Sequence, residues 1–128
     1  MQNALVSGSR KHYIWDLMPY IAGFHGAMPM EIIRQYKKQY PNTDRKIVEV
    51  MKVDDARYAD GIIYTYRYLR YEAKKEEYET AFAIENSHGQ PHIHRENKRE
   101  DVDFDWKKAM SEFERMVKGY RKMKYGKD

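Results

Sequence analysis

The chain has 128 residues, enough for one domain around a single hydrophobic core, and is 41% apolar and 14% aromatic with twelve tyrosines. It has no cysteine, which excludes disulfides, thiolate metal ligands and a cysteine nucleophile and fits a reducing cytoplasm. The net charge of +4 permits a nucleic-acid or acidic-protein partner without demanding one.

Residues 1–12 are polar and small, which predicts a loose start. Residues 13–21 are apolar but contain Pro19, so they read as two short pieces, with a turn region at Gly23 and Gly26. Asp16 and Pro19 also interrupt the most apolar stretch. It is too short to span a bilayer and is a poor signal-peptide core, so the expectation is a cytoplasmic protein without membrane contact.

Pro29 suits the first turn of a helix, and Ile32, Ile33, Tyr36 and Tyr40 then share one helical face. The pattern predicts a helix over 29–40, ended by Pro41. β-Branched residues predict a strand over 46–53, and a polar connection over 54–61 leads to a long strand over 62–72. After the AKKEE turn, residues 78–85 alternate. Tyr78, Thr80, Phe82 and Ile84 fall on one face and Glu79, Ala81, Ala83 and Glu85 on the other. Residues 91–96 read as a further short strand. Trp106, Ala109, Met110, Phe113, Val117 and Tyr120 form a helical stripe, capped by Asp103 or Asp105 and running to about Met123. Residues 121–128 read as a frayed basic tail. The expected fold is a single α+β domain: an antiparallel meander of three to four strands, with an N-terminal helix region and a C-terminal amphipathic helix on one face.

The segment ENSHGQPHIH (85–94) holds three of the five histidines. If Phe82, Ile84 and Ile93 face the core, then His92, His94 and Glu85 share the opposite face, with Gly89 as a left-handed turn residue and Pro91 at a strand's first position. Three readings are open. Two imidazoles can serve as base and acid at neutral pH, and RNA cleavage through its own 2′-OH needs that pair plus cations on the phosphate. Alternatively His88, His92 and His94, with Glu85, could hold a metal such as zinc. The third is a solvated polar hairpin without chemistry. Tyr64, Tyr66 and Tyr68 could stack bases beside Arg67 and Arg70, although tyrosine is also simply favourable on strands. The chain has no Gly-rich phosphate loop, no HExxH and no Ser-centred nucleophile elbow.

The order YTYRYLRYE, a turn, AFAIENSHGQPHIH, a charged stretch and DFDWKKAMSEFERMV resembles the TumE family of toxin–antitoxin proteins over roughly residues 46–120. That family has a Y-x-Y-R-like strand, a strand ending in an aromatic-Asp-Asn type motif, a short loop, an H-x-H segment and a C-terminal helix. Here Ile84-Glu85-Asn86 and His92-Ile93-His94 stand at those places. Glu85 replaces the expected aspartate, His88 is additional, and residues 1–45 have no counterpart.

The resemblance implies the toxin of a type II toxin–antitoxin pair, neutralised by direct binding of its antitoxin. As a small ribonuclease without cofactor, it would use His92 and His94 as base and acid and Glu85 to orient one imidazole. Arg67, Arg70, Arg95, Arg99 and the Asn86 amide would hold the substrate. The alternative is a non-catalytic protein- or nucleic-acid-binding module with a basic, tyrosine-rich sheet.

Overall fold

The structure is a computed structural model that describes residues 29–126. The expectations for residues 1–12 and 13–21, for the Gly23 and Gly26 turns and for the last two residues lie outside the described residues. Six strands form one antiparallel sheet in sequence order: β1 (Pro29–Gln39), β2 (Arg45–Val53), β3 (Ile62–Glu72), β4 (Glu77–Glu85), β5 (His92–Arg95) and β6 (Lys98–Asp101). One helix, α1 (Trp106–Tyr125), lies across one face. The α+β class holds, but the sheet has six strands rather than three to four.

The segment expected as a helix over 29–40 is strand β1, so that part of the N-terminal helix region is corrected. β2 buries residues on both faces, Ile47 and Met51 on one and Val48 and Val50 on the other, and β1 completes its backbone hydrogen bonding on the side away from β3. Register shifts between Pro29 and Glu31 and between Ile32 and Arg34 break the two-residue period. Ile32 and Ile33, which suggested a helical face, are 39% and 37% exposed. The other unexpected strand, β6 (KRED), is exposed at every position and has no apolar residue to announce it.

α1 starts where Asp105 accepts the Lys108 amide at 2.7 Å, and it stops at Gly126 in the left-handed region with its N–H on Lys122 O. Ala109, Phe113 and Val117 are buried against Tyr64, Tyr66, Tyr68, Phe82, Ile84 and Ile93. The final turn is docked rather than frayed. Arg121 is buried and donates to Tyr68 Oη at 2.8 Å, while Tyr125 Oη donates to Asp44 Oδ2 at 2.7 Å. Lys46 on β2 adds an ion pair with Glu114 at 2.9 Å. Among the described residues, no helix is long and apolar enough to cross a membrane.

A bulge in the β3–β4 ladder, between Tyr68 and Leu69, changes which β4 side chains face α1. Before it, Phe82 and Ile84 point to α1, as the alternation predicts. Beyond it the expected parity reverses. Tyr78 packs with Ile47 and Leu69 on the far face, and Glu79 pairs with Arg70 on the helix side.

Candidate active site

Directly opposed residues in an antiparallel sheet share a face, so the register alone assembles two polar rows on the side away from α1. The first row is Gln35, Glu49, Thr65, Glu85, His92 and Asp101, one from each strand; beside it runs Lys37, Ile47, Arg67, Ala83, His94 and Arg99. The first row carries Glu49, Glu85 and Asp101 and the second Lys37, Arg67 and Arg99, with one histidine in each row.

Glu85, His92 and His94 converge there, with one ligand-type atom from each within 4.8 Å of the others. Glu85 Oε2 is 3.4 Å from His94 Nε2, 3.9 Å from His92 Nε2 and 3.8 Å from an Arg67 Nη2. The other carboxylate oxygen accepts from Ser87 Oγ at 2.6 Å, which fixes the plane of the group. His92 Nδ1 lies 2.8 Å from Gln90 O, a carbonyl that can only accept, so Nδ1 carries a proton and Nε2 is the ring nitrogen that faces Glu85. The two rings meet edge to face at 4.5 Å. Burial and the charges of His92, Arg67 and Arg99 push the His94 pKa below its ordinary value, against an opposing pull from Glu85. The balance favours the neutral ring.

The loop carrying this arrangement is tightly specified. Gly89 has φ +92 and donates to Asn86 O at 2.9 Å; a Cβ there would come within 2.4 Å of the Arg57 carbonyl oxygen. Asn86 accepts from the Tyr64 amide at 2.8 Å and donates to Ile62 O at 2.9 Å. Its amide is occupied by backbone and is buried, so it is a structural clasp instead of a phosphate donor.

The expected substrate cations separate by face. Arg67 and Arg99 lie on the histidine face. Arg70 lies on the helix side, where it pairs with Glu79 at 2.9 Å, and hydrogen bonds to Glu79 and Tyr120 push its pKa up. Arg95 is directly opposite Phe82, again on the helix side, because Ile93 and Arg95 alternate with the histidines. His88 is exposed in the loop and does not join the convergent group. Tyr64, Tyr66 and Tyr68 are buried beneath α1 and present no stacking surface.

A depression of about 210 Å³ lined by Arg67, Thr80, Ala83 and His94 opens beside the triad. A larger cavity of about 380 Å³ lies near the start of α1, but Asp105 and Asn86 in its lining are already committed to the helix cap and to backbone. Glu49, in the polar row, was not singled out in the sequence. It is buried among apolar neighbours on a β-branched strand, one oxygen accepting from Gln35 Nε2 and the other without a hydrogen-bond partner. Burial lifts its pKa to about 7, partly offset by Gln35. No family model, curated protein or solved structure matches the chain.

Proposed function

We propose that this chain is the RNA-cleaving toxin of a toxin–antitoxin pair and that Glu85, His92, His94 and Arg67 form its catalytic centre. The observation that carries this reading is that His94 and Arg67 line one depression, with the Glu85 carboxylate between them. The resemblance of residues 46–120 to TumE proteins supports the toxin role and a partner antitoxin that binds it directly.

In this mechanism His94 Nε2, neutral and partly exposed, removes the proton from an RNA 2′-OH. The 2′-oxygen then bonds to phosphorus, the bond from phosphorus to the 5′-oxygen breaks, and the leaving oxygen takes a proton. The products are a 2′,3′-cyclic phosphate and a 5′-hydroxyl. His92, in its doubly protonated form, is the acid that supplies that proton from Nε2, 3.9 Å from the Glu85 carboxylate. Arg67 and Arg99 place positive charge on the phosphate, so the step needs no metal. Inducible expression of wild type and of His94→Ala, with total RNA followed on a gel, tests the reading. Growth arrest with RNA loss in the wild type alone supports it; harmless expression with intact RNA refutes it.

A further inference from the structure

We infer that Glu85 Oε2, His92 Nε2 and His94 Nε2 form a binding site for one divalent transition-metal ion of the zinc class, and that the ion, when bound, blocks the centre. Its blocking consequence rests on the acid–base reading above; the binding itself does not.

The argument starts from what a zinc-class ion requires. Imidazole and carboxylate ligands about 2.0–2.2 Å from a tetrahedral ion lie roughly 3.4 Å from each other. Glu85 Oε2 is 3.4 Å from His94 Nε2 and 3.9 Å from His92 Nε2. All three ligand-type positions fall within 4.8 Å, so rotation of the partly exposed His94 ring closes the set. Two nitrogens and one oxygen match ions that accept imidazole, and are a poor match for calcium or magnesium, which take oxygen ligands.

The outer contacts are those a metal site needs. The ring nitrogen of His92 that faces away from the triad donates to the Gln90 carbonyl, which leaves Nε2 as the ligand atom. The carboxylate oxygen facing away from the triad is held by Ser87. Glu85 and His92 are buried, whereas His94 reaches the surface and leaves an entry side for a bare ion and a fourth ligand. The opposing group is Arg67, 3.8 Å from the same oxygen; its Nη1 also donates to Thr80 Oγ1 at 3.0 Å, which anchors the guanidinium as the ion enters. Coordination takes the His94 lone pair that would otherwise remove the 2′-OH proton, and zinc thereby switches cleavage off.

The test is calorimetric titration of the full, tag-free chain with Zn²⁺, with Co²⁺ absorption reporting coordination geometry. One ion per chain with a tetrahedral Co²⁺ spectrum is expected. His92→Ala and Glu85→Gln should abolish binding, Ser87→Ala should weaken it by about 10–100-fold, and His88→Ala should leave it unchanged. Arg67→Ala should strengthen it, a gain that misfolding does not produce. Absence of binding, or binding that survives both His92→Ala and Glu85→Gln, overturns the site. RNA cleavage that requires the ion overturns the blocking role and the metal-free mechanism while the site stands. Absence of RNA cleavage under every condition overturns the ribonuclease reading, and the titration still decides the site.

Discussion

Glu85 Oε2 and His94 Nε2 lie 3.4 Å apart across the β4–β5 pair, although Ala83, not Glu85, is directly opposite His94. The contact is diagonal, and it leaves the His92–Glu85 pair in register beside it. One carboxylate thus serves two imidazoles. Glu85→Gln keeps the shape and Ser87 contact but removes the negative charge that lies beside both rings. RNA cleavage by this variant should fall by about 10–100-fold, the usual cost of losing a group that orients a functional histidine. Unchanged initial rates would show that the carboxylate does not serve the imidazoles.

Asn86 separates two views of the same loop. If it clasps the backbone, Asn86→Ala strands the Tyr64 amide and the Ile62 carbonyl and costs about 1–3 kcal/mol in urea unfolding. The wild-type and variant proteins should then share the same apparent KM for RNA below the unfolding transition. A raised KM at unchanged stability would return Asn86 to the substrate.

Glu49 gives a pH signature. Its folded-state pKa, raised to about 7, exceeds the ordinary carboxylate value, so the folded protein holds a proton that the unfolded chain releases. Stability from this group therefore declines as pH rises between the two values, and the loss is complete above about pH 7. Glu49→Gln lacks this penalty. Relative to wild type it should gain about 2–3 kcal/mol between pH 5 and pH 8, measured by chemical denaturation at each pH. A difference that does not change with pH would contradict the burial argument.

Asp44 ties the β1–β2 turn to α1. It accepts from Tyr68 Oη and Tyr125 Oη, both at 2.7 Å, and sits 3.9 Å from the buried Arg121 guanidinium, which in turn covers the Tyr40 ring at 3.9 Å. Asp44→Ala leaves that cation uncompensated and should cost about 3–5 kcal/mol by urea unfolding. A loss below about 1 kcal/mol, the value of an exposed pair, would show that water replaces the carboxylate.

Legibility in the sequence followed apolar contrast. Between Phe82 and His94 the apolar residues Phe82, Ile84 and Ile93 mark one face plainly, and the shared face of Glu85, His92 and His94 follows from that parity alone. Where the ladder is irregular the parity argument fails. The bulge at Ala81, opposite Tyr68 and Leu69, turns Tyr78 and Glu79 to faces opposite to those a regular strand predicts, and β1 is interrupted by two register shifts. β6 has no apolar side chain, so only its backbone pairing with β5 defines it. Arg121 and Asp44 are charged residues buried by mutual pairing and tyrosine hydroxyls. No local pattern announces such a pair, because the partners are distant in sequence.

The most direct test of the catalytic centre is cleavage of end-labelled RNA at pH 7 by the purified chain, compared with His94→Ala and His92→Ala/His94→Ala proteins of matched circular dichroism. The wild type should generate 2′,3′-cyclic phosphate ends, and the double variant should be slower by about 10²–10⁴-fold. RNA left intact by the wild type, or cut equally fast by the double variant, would contradict the assignment of His92 and His94 as the reacting pair.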